Sequence, residues 1–316
     1  MPAIRIACVG HAVLDHVFEV EAFPSRPTKT PARSYRRGTG GMAFNAAIAA
    51  ARLGAAVRMI GRVGCEPGVS MLRERLRSEG VEDRGLEVVP GATTSVSAIV
   101  VDERGERQIF NHRGDAIVRA HPLDPRVLEG ADVVLTDPRW VAGAAAALRW
   151  ARVQRVTAML DVDVAPQADL QHLVPLAQWA VFSEPGLAAY APGQSTEAAL
   201  QRALDSGCEV AMVTRGEQPV WWCRRGGALQ RLPVPRVKAV DTTGAGDVFH
   251  AALALAVGEG RAERDAVAFA ATAAALKCLG GPGVLGAPPR AAVERGLPRR
   301  ATRALDADTF GATIAR

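Results

Sequence analysis

The chain has 316 residues, 48% apolar and 22% charged, ordinary globular proportions that exclude a disordered tail protein and leave room for one large α/β domain or two smaller ones. Its 31 Gly and 20 Pro follow no period, which excludes collagen-like and low-complexity chains, and its apolar runs stop well short of the ~20 residues of a membrane span. The net charge of +5 is spread without a basic block, so neither nucleic acid nor membrane is an expected partner.

From the N-terminus, Ile4–Val9 is a continuous apolar run ending at Gly10, the pattern of a parallel core strand. It does not read as a charged-then-apolar leader, so a cytoplasmic protein is expected. Met42–Leu53 is Ala-rich and helical, with Gly54 as C-cap. Val57–Val63 is a strand and Met71–Ser78 an amphipathic helix. Val133–Thr136, Ala158–Val162, Trp179–Phe182 and Val210–Thr214 are short buried strands, with helices such as Val141–Arg152 and Thr196–Ser206 between them. Leu232–Val240 is strand-like, Val248–Val257 is an apolar helix, and Pro288–Arg316 is a surface helix and tail. This rhythm predicts an α/β fold, a mainly parallel sheet with helices on both faces.

Two segments break the rhythm. Val17–Tyr35 and Ser95–His112 are rich in β-branched and aromatic residues, and the second contains the turn Asp102-Glu103-Arg104-Gly105. They predict a small β-sheet lid (residues 17–35 and 95–112) on a main domain of residues 1–16, 36–94 and 113–316. Cys8, Cys65, Cys208, Cys223 and Cys278 are far apart and form no C-x-x-C pair, which fits buried thiols in a reducing compartment. Lysine is confined to Lys29, Lys238 and Lys277, every other basic residue being arginine, which makes each lysine conspicuous. Trp221 and Trp222 have no basic track beside them and are expected at a sheet edge or in the core.

The chemistry concentrates in Asp241-Thr242-Thr243-Gly244-Ala245-Gly246-Asp247-Val248-Phe249, between a strand-like run and a helix. Gly244, Ala245 and Gly246 let the backbone turn tightly and present N–H groups to an anion at a helix N-terminus. A transferring phosphoryl group needs such a cradle, because its charge is spread over three oxygens. Asp247, at the helix start, is placed to take a proton from an attacking hydroxyl. Asp15 closes the apolar run Ala12-Val13-Leu14 after the first strand, where open α/β sheets bind ligands.

Asp241–Asp247 resembles the signature of the ribokinase-like, or PfkB-type, carbohydrate kinases. Gly40-Gly41 followed by Asn45, and Gly61-Arg62-Val63-Gly64 followed by Gly68, resemble two further motifs of that family, with Glu66 where Asp is usual. The resemblance covers nearly the whole chain. It implies a ribokinase-like fold, ATP with Mg2+, and a β lid that also forms a homodimer contact. It further implies Asp247 as base, Gly244–Gly246 as anion hole, and Asp15, Gly40, Gly41 and Asn45 as sugar contacts. Thr214 and Gly216, in a T-x-G turn, with Thr243, Gly244 and Gly246, are the implied nucleotide contacts. Pro219 replaces the usual later Gly of that turn. Ser183-Glu184-Pro185-Gly186 replaces the usual N-x-x-E metal motif, leaving Glu184 to orient magnesium-bound water. Asp241 and Thr243 carbonyls are expected to hold K+, as in some relatives, and Ala275–Gly286 to wall the adenine pocket. His250 is expected to pack.

Within the family the likeness is strongest to the sulfofructose kinases, through Thr136–Trp140, Leu160–Asp163, Phe182–Leu187, Val240–His250 and Ala274–Cys278. That likeness implies phosphorylation of the C1 hydroxyl of 6-deoxy-6-sulfofructose, with Lys29, Asn111 and Arg139 holding the sulfonate. Fructose 6-phosphate or tagatose 6-phosphate would satisfy the same charges, and a neutral sugar such as ribose or fructose ranks behind them. A non-catalytic sugar-binding regulator would not need Asp247, and a nucleoside kinase would want an apolar pocket in place of Lys29 and Arg139.

Overall fold

In the computed structural model, residues 2–118 and 123–297 are described. The outer part of the expected C-terminal tail, residues 298–316, therefore lies outside the described residues. The strands are β1 (Arg5–Val9), β2 (Val13–Glu19), β3 (Ser34–Gly40), β4 (Ala56–Val63), β5 (Glu82–Val88), β6 (Ser95–Val101), β7 (Arg107–His112), β8 (Val133–Thr136), β9 (Thr157–Val162), β10 (Trp179–Ser183), β11 (Val210–Arg215), β12 (Gln218–Arg224) and β13 (Gln230–Leu232). The helices are α1 (Met42–Arg52), α2 (Val69–Ser78), α3 (Asp115–Val118), α4 (Val141–Gln154), α5 (Gln167–Leu173), α6 (Glu184–Tyr190), α7 (Thr196–Ser206), α8 (Ala245–Gly258), α9 (Glu263–Leu279) and α10 (Arg290–Gly296).

The main sheet runs β13-β12-β11-β10-β9-β8-β1-β4-β5, parallel from β11 to β5, with β12 and β13 added antiparallel at one edge. Its central strands are apolar on both faces. In β1, Ile6 and Cys8 face a core built with α1, α8 and α9, while Ala7 and Val9 face a second core with α4, α5 and α7. A strand buried on both sides has no polar alternation to show, which is why these runs are continuous.

A separate sheet has the order β3-β2-β6-β7, with β2 and β6 parallel and the two outer pairs antiparallel. Its strands reach beyond the expected segments. β2 begins at Val13 and β3 continues to Gly40, so Asp15 belongs to this sheet, and residues 20–33 form the connection between the two strands. The expected strand over Leu232–Val240 stops at Leu232, because Pro233 and Pro235 remove the donors a ladder needs. Of the cysteines, Cys65 is exposed in the loop after β4, whereas Cys8, Cys208 and Cys223 are buried. Trp222 is buried in β12, and Trp221 lies between the guanidinium groups of Arg215 and Arg231 at 4.1 and 4.0 Å. Among the described residues no helix is long and apolar enough to cross a membrane.

Candidate active site

The turn after residue 240 sets the site. Gly244 is left-handed (φ 76°) and caps α8, whose first helical hydrogen bond runs from Val248 N to Gly244 O at 3.0 Å. The amides of Gly246 and Asp247, in the first turn, have no intrahelical acceptor and carry the positive end of the helix dipole. Asp247 Oδ2 accepts the side-chain amide of Asn45 at 2.7 Å. Burial and the nearby Asp161 push the Asp247 carboxyl up to about 7, against the opposing Asn45 bond. A carboxylate poised near neutrality in a cleft can take a proton from a hydroxyl.

His250 does more than pack. It is buried, with Nδ1 2.7 Å from Gly246 O, and Nε2 3.2 Å from Val181 O and 3.3 Å from Asp161 Oδ1. Burial holds the imidazole neutral and drives the Asp161 carboxyl well up. His250 thus ties the glycine turn to the core of the sheet.

Asn45 is delivered by the start of α1. A Cβ on Gly41, which has φ 107°, would lie 2.2 Å from His11 O, and one on Gly40 would lie 2.4 Å from Asp15 Oδ2. These two glycines let α1 and the Asp15 carboxylate approach each other. Burial raises the Asp15 carboxyl to about 6, opposed by the Ser97 hydroxyl and Arg36. Asp137 is a buried clamp, accepting His11 N at 2.7 Å, Ala43 N at 3.1 Å and Arg139 N at 2.8 Å. It fastens the ends of β1 and β8 to the start of α1.

Two cavities flank the turn. One, of about 480 Å³, is lined by Thr214, Gly216, Phe249, Ala271, Ala275 and Cys278, together with Thr242, Ala245 and Gly246. The other, of about 450 Å³, is lined by Asp15, Arg36, Arg37 and Arg107, together with Asp241 and Thr243. The expected adenine wall is divided between them: the end of α9 lines the first cavity and the Gly280–Gly283 loop lines the second.

The three residues expected to hold a sulfonate are not gathered in either cavity. Asn111 lies on the Asp15 side of the lid and donates to Ser97 Oγ at 3.1 Å. The Arg139 guanidinium is committed to Asp163 Oδ2 at 3.1 Å and Val164 O at 2.7 Å. Lys29 is exposed in the connection between β2 and β3.

At the metal motif, Ser183 Oγ donates to Asp163 and accepts Gly186 N, each at 3.0 Å, so it caps α6. A Cβ on Gly186 would lie 2.1 Å from Val162 O, which explains why the usual Glu is missing there. Glu184 is exposed at the first position of α6. Among the described residues no group of three or more His, Cys, Asp or Glu could hold a metal ion. These residues suit a Mg2+ held mainly by nucleotide phosphates and water, with Glu184 as an outer partner. The potassium expectation does not fit. Lys277 Nζ donates to Asp241 O at 2.7 Å and lies 3.2 Å from Asp241 Oδ2, so one of the two carbonyls expected to hold K+ already faces an ammonium. Lys277 stood out in the sequence only by the scarcity of lysine, and Arg107, which pairs with the other Asp241 carboxylate oxygen from β7, did not stand out at all.

Comparison with known proteins agrees with this geometry. Residues 3–283 match the pfkB family carbohydrate kinases. The chain is 29% identical over 277 residues to the ribokinase of Bacillus subtilis, covering 86% of this chain and 92% of that one. It superposes on the crystal structure of an Agrobacterium tumefaciens protein assigned by name as a ribokinase, with a TM-score of 0.87 and 34% identity over 94% of this chain and 98% of that one. It also shares the fold of Arabidopsis thaliana ribokinase complexed with ribose and ATP, with a TM-score of 0.82 at 22% identity over 93% and 98% of the two chains. A glycine turn at the start of α8, flanked by two cavities, on a chain matched along almost its full length, leads to one assignment: this protein belongs to the PfkB family of carbohydrate kinases, ATP-dependent phosphotransferases with the ribokinase-like fold.

Proposed function

We propose that the chain transfers the γ-phosphoryl group of ATP to the C1 hydroxyl of a ketohexose bearing an anion at C6, such as 6-deoxy-6-sulfofructose, with Asp247 as general base. The observation that carries the reading is the Asp247 carboxylate itself. It stands in the first turn of α8, next to Gly246 of the first cavity's wall and 2.7 Å from the Asn45 amide, with its carboxyl pushed up to about 7. The apolar cavity beside Phe249, Ala271 and Ala275 suits a purine, and Thr214 and Gly216 also line it. The second cavity, which Asp15 lines, takes the sugar, with Gly40, Gly41 and Asn45 beyond its lining completing the contacts to its hydroxyls. Asp247 accepts the hydroxyl proton as the sugar oxygen attacks the γ-phosphorus, and the bond to the bridging oxygen breaks to release ADP. The Gly246 and Asp247 amides and the α8 dipole meet the charge on the γ-oxygens. Glu184 would be the outer partner of a Mg2+ held mainly by the nucleotide phosphates and water, which would supply charge neutralisation for the transfer.

Arg36, on the same face of the lid as Asp15, supports an anionic sugar, although the expected trio contributes less than its charges suggested. A second reading, a neutral pentose, is favoured by the names of the Bacillus and Agrobacterium relatives and by the pairing of Arg139 with Asp163. Phe18, Tyr35 and Phe110 on the lid face away from Asp15 support dimerisation through the lid, Tyr35 and Phe110 being 52% and 60% exposed. An ADP-release screen over neutral, phosphorylated and sulfonated sugars tests the reading. Charge-assisted contacts of ~1.5–3 kcal/mol predict at least about tenfold higher kcat/KM for a C6-anionic ketose than for fructose or ribose. Equal values would reduce the protein to a neutral-sugar kinase.

A further inference from the structure

We infer that Lys277 supplies, from within the chain, the monovalent cation that orders the catalytic turn, so that the kinase works without free potassium. Resting on the reading of residues 241–247 as the phosphoryl cradle, the inference starts from a lysine with no solvent exposure inside helix α9. A buried ammonium is tolerated only where oxygens replace its water. Lys277 Nζ finds two on a single residue, the Asp241 carbonyl at 2.7 Å and the Asp241 carboxylate at 3.2 Å.

Asp241 is the hub of the turn. Its carboxylate accepts Thr243 N at 2.9 Å, Thr243 Oγ1 at 2.7 Å and Gly283 N at 2.7 Å, and pairs with Arg107. Its own amide donates to Cys278 O at 3.3 Å, and that of Val240 at 2.8 Å. Burial pushes its carboxyl up, but these donors outweigh burial and hold it far below the usual carboxylate range. The residue that fixes Thr243 is therefore a partly buried anion with a carbonyl turned to the same cation.

A free monovalent ion would take the same oxygens, since ammonium and potassium carry one charge and both accept carbonyl and carboxylate donors. The lysine differs in being covalently held, always present, and directional through three N–H groups. Neutralising Asp241 from α9 fixes the turn before nucleotide arrives, leaving the Gly246 and Asp247 amides oriented for the γ-phosphate. Lys277 is thus a positioning residue, acting through Asp241.

The test is steady-state kinetics of the intact protein in KCl, NaCl, NH4Cl or choline chloride at matched ionic strength. Wild-type kcat should stay within about twofold across the four salts. Lys277→Met keeps the stem and removes the charge, and should lose at least about tenfold in kcat in choline, with KM for sugar little changed. It should regain activity in K+ or NH4+ more than in Na+, and its Tm should rise in KCl but not in NaCl. Activation of the wild-type enzyme by K+ of fivefold or more overturns the inference, and this arm needs no variant. So does a folded Lys277→Met as active as wild type in choline, or one that no monovalent ion restores. Full activity of Asp247→Asn would instead sink the reading of the cradle, so the two failures are distinguishable.

Discussion

Replacing Asn45 by Ala removes the amide that donates to Asp247 Oδ2 at 2.7 Å. That bond favours the ionised carboxylate and opposes the burial and Asp161 charge that push the Asp247 carboxyl up to about 7. As the proposed base, Asp247 would work ionised, so wild-type kcat should fall about tenfold per pH unit below about 7. A hydrogen bond to a charged group contributes ~1.5–3 kcal/mol, and 1.36 kcal/mol corresponds to one pH unit. Water entering the vacated space recovers part of this, so the acidic limb should move upward by about one pH unit. At pH 7 the ionised fraction then drops from roughly a half to roughly a tenth, and kcat falls about fivefold. At about pH 9 the variant should recover most of its turnover at saturating sugar. The assay is kcat against pH by ADP release, from about pH 5.5 to 9.5. A limb that does not move, or a loss as large at pH 9 as at pH 7, would refute the argument and leave Asn45 with sugar placement alone.

Asp247→Asn should bind ATP normally, measured by calorimetry, while kcat falls roughly 10²–10⁴-fold. Because the folded carboxyl is raised, wild type loses stability as pH climbs from the ordinary carboxylate range through about 7. The Asn variant should therefore melt at least about 2 °C higher than wild type at pH 8 and alike at pH 4. Gly186→Glu, which restores the residue usual in the metal motif, should lower Tm without improving activity, since its Cβ would meet Val162 O at 2.1 Å; a more active, equally stable variant would contradict this. Arg107→Gln breaks the ion pair from the lid to Asp241 and should raise KM for sugar several-fold with Tm little changed, an outcome read by parallel kinetics and melting.

The sequence by itself determined what is local or periodic. Strands buried on both faces had to be continuous apolar runs, so the parallel sheet and its helices were legible in chain order, as was the departure of the lid segments from that rhythm. The turn of the proposed cradle was legible because its parts are contiguous: Gly244 is left-handed, and Asp247 follows within one helical turn. Only the tertiary structure decided which charges are spent. Arg139 looked available until folding brought Asp163, 24 residues away, against it. Arg107 and Asp241 are 134 residues apart, and Lys277, in the last turn of α9, is 36 residues from Asp241. A lysine's neighbours in sequence are the same whether its ammonium meets water or a carboxylate. The scarcity of lysine in this chain marked Lys277 as unusual, but burial, which converts a charge into a structural cation, is set by packing between elements and not by local pattern.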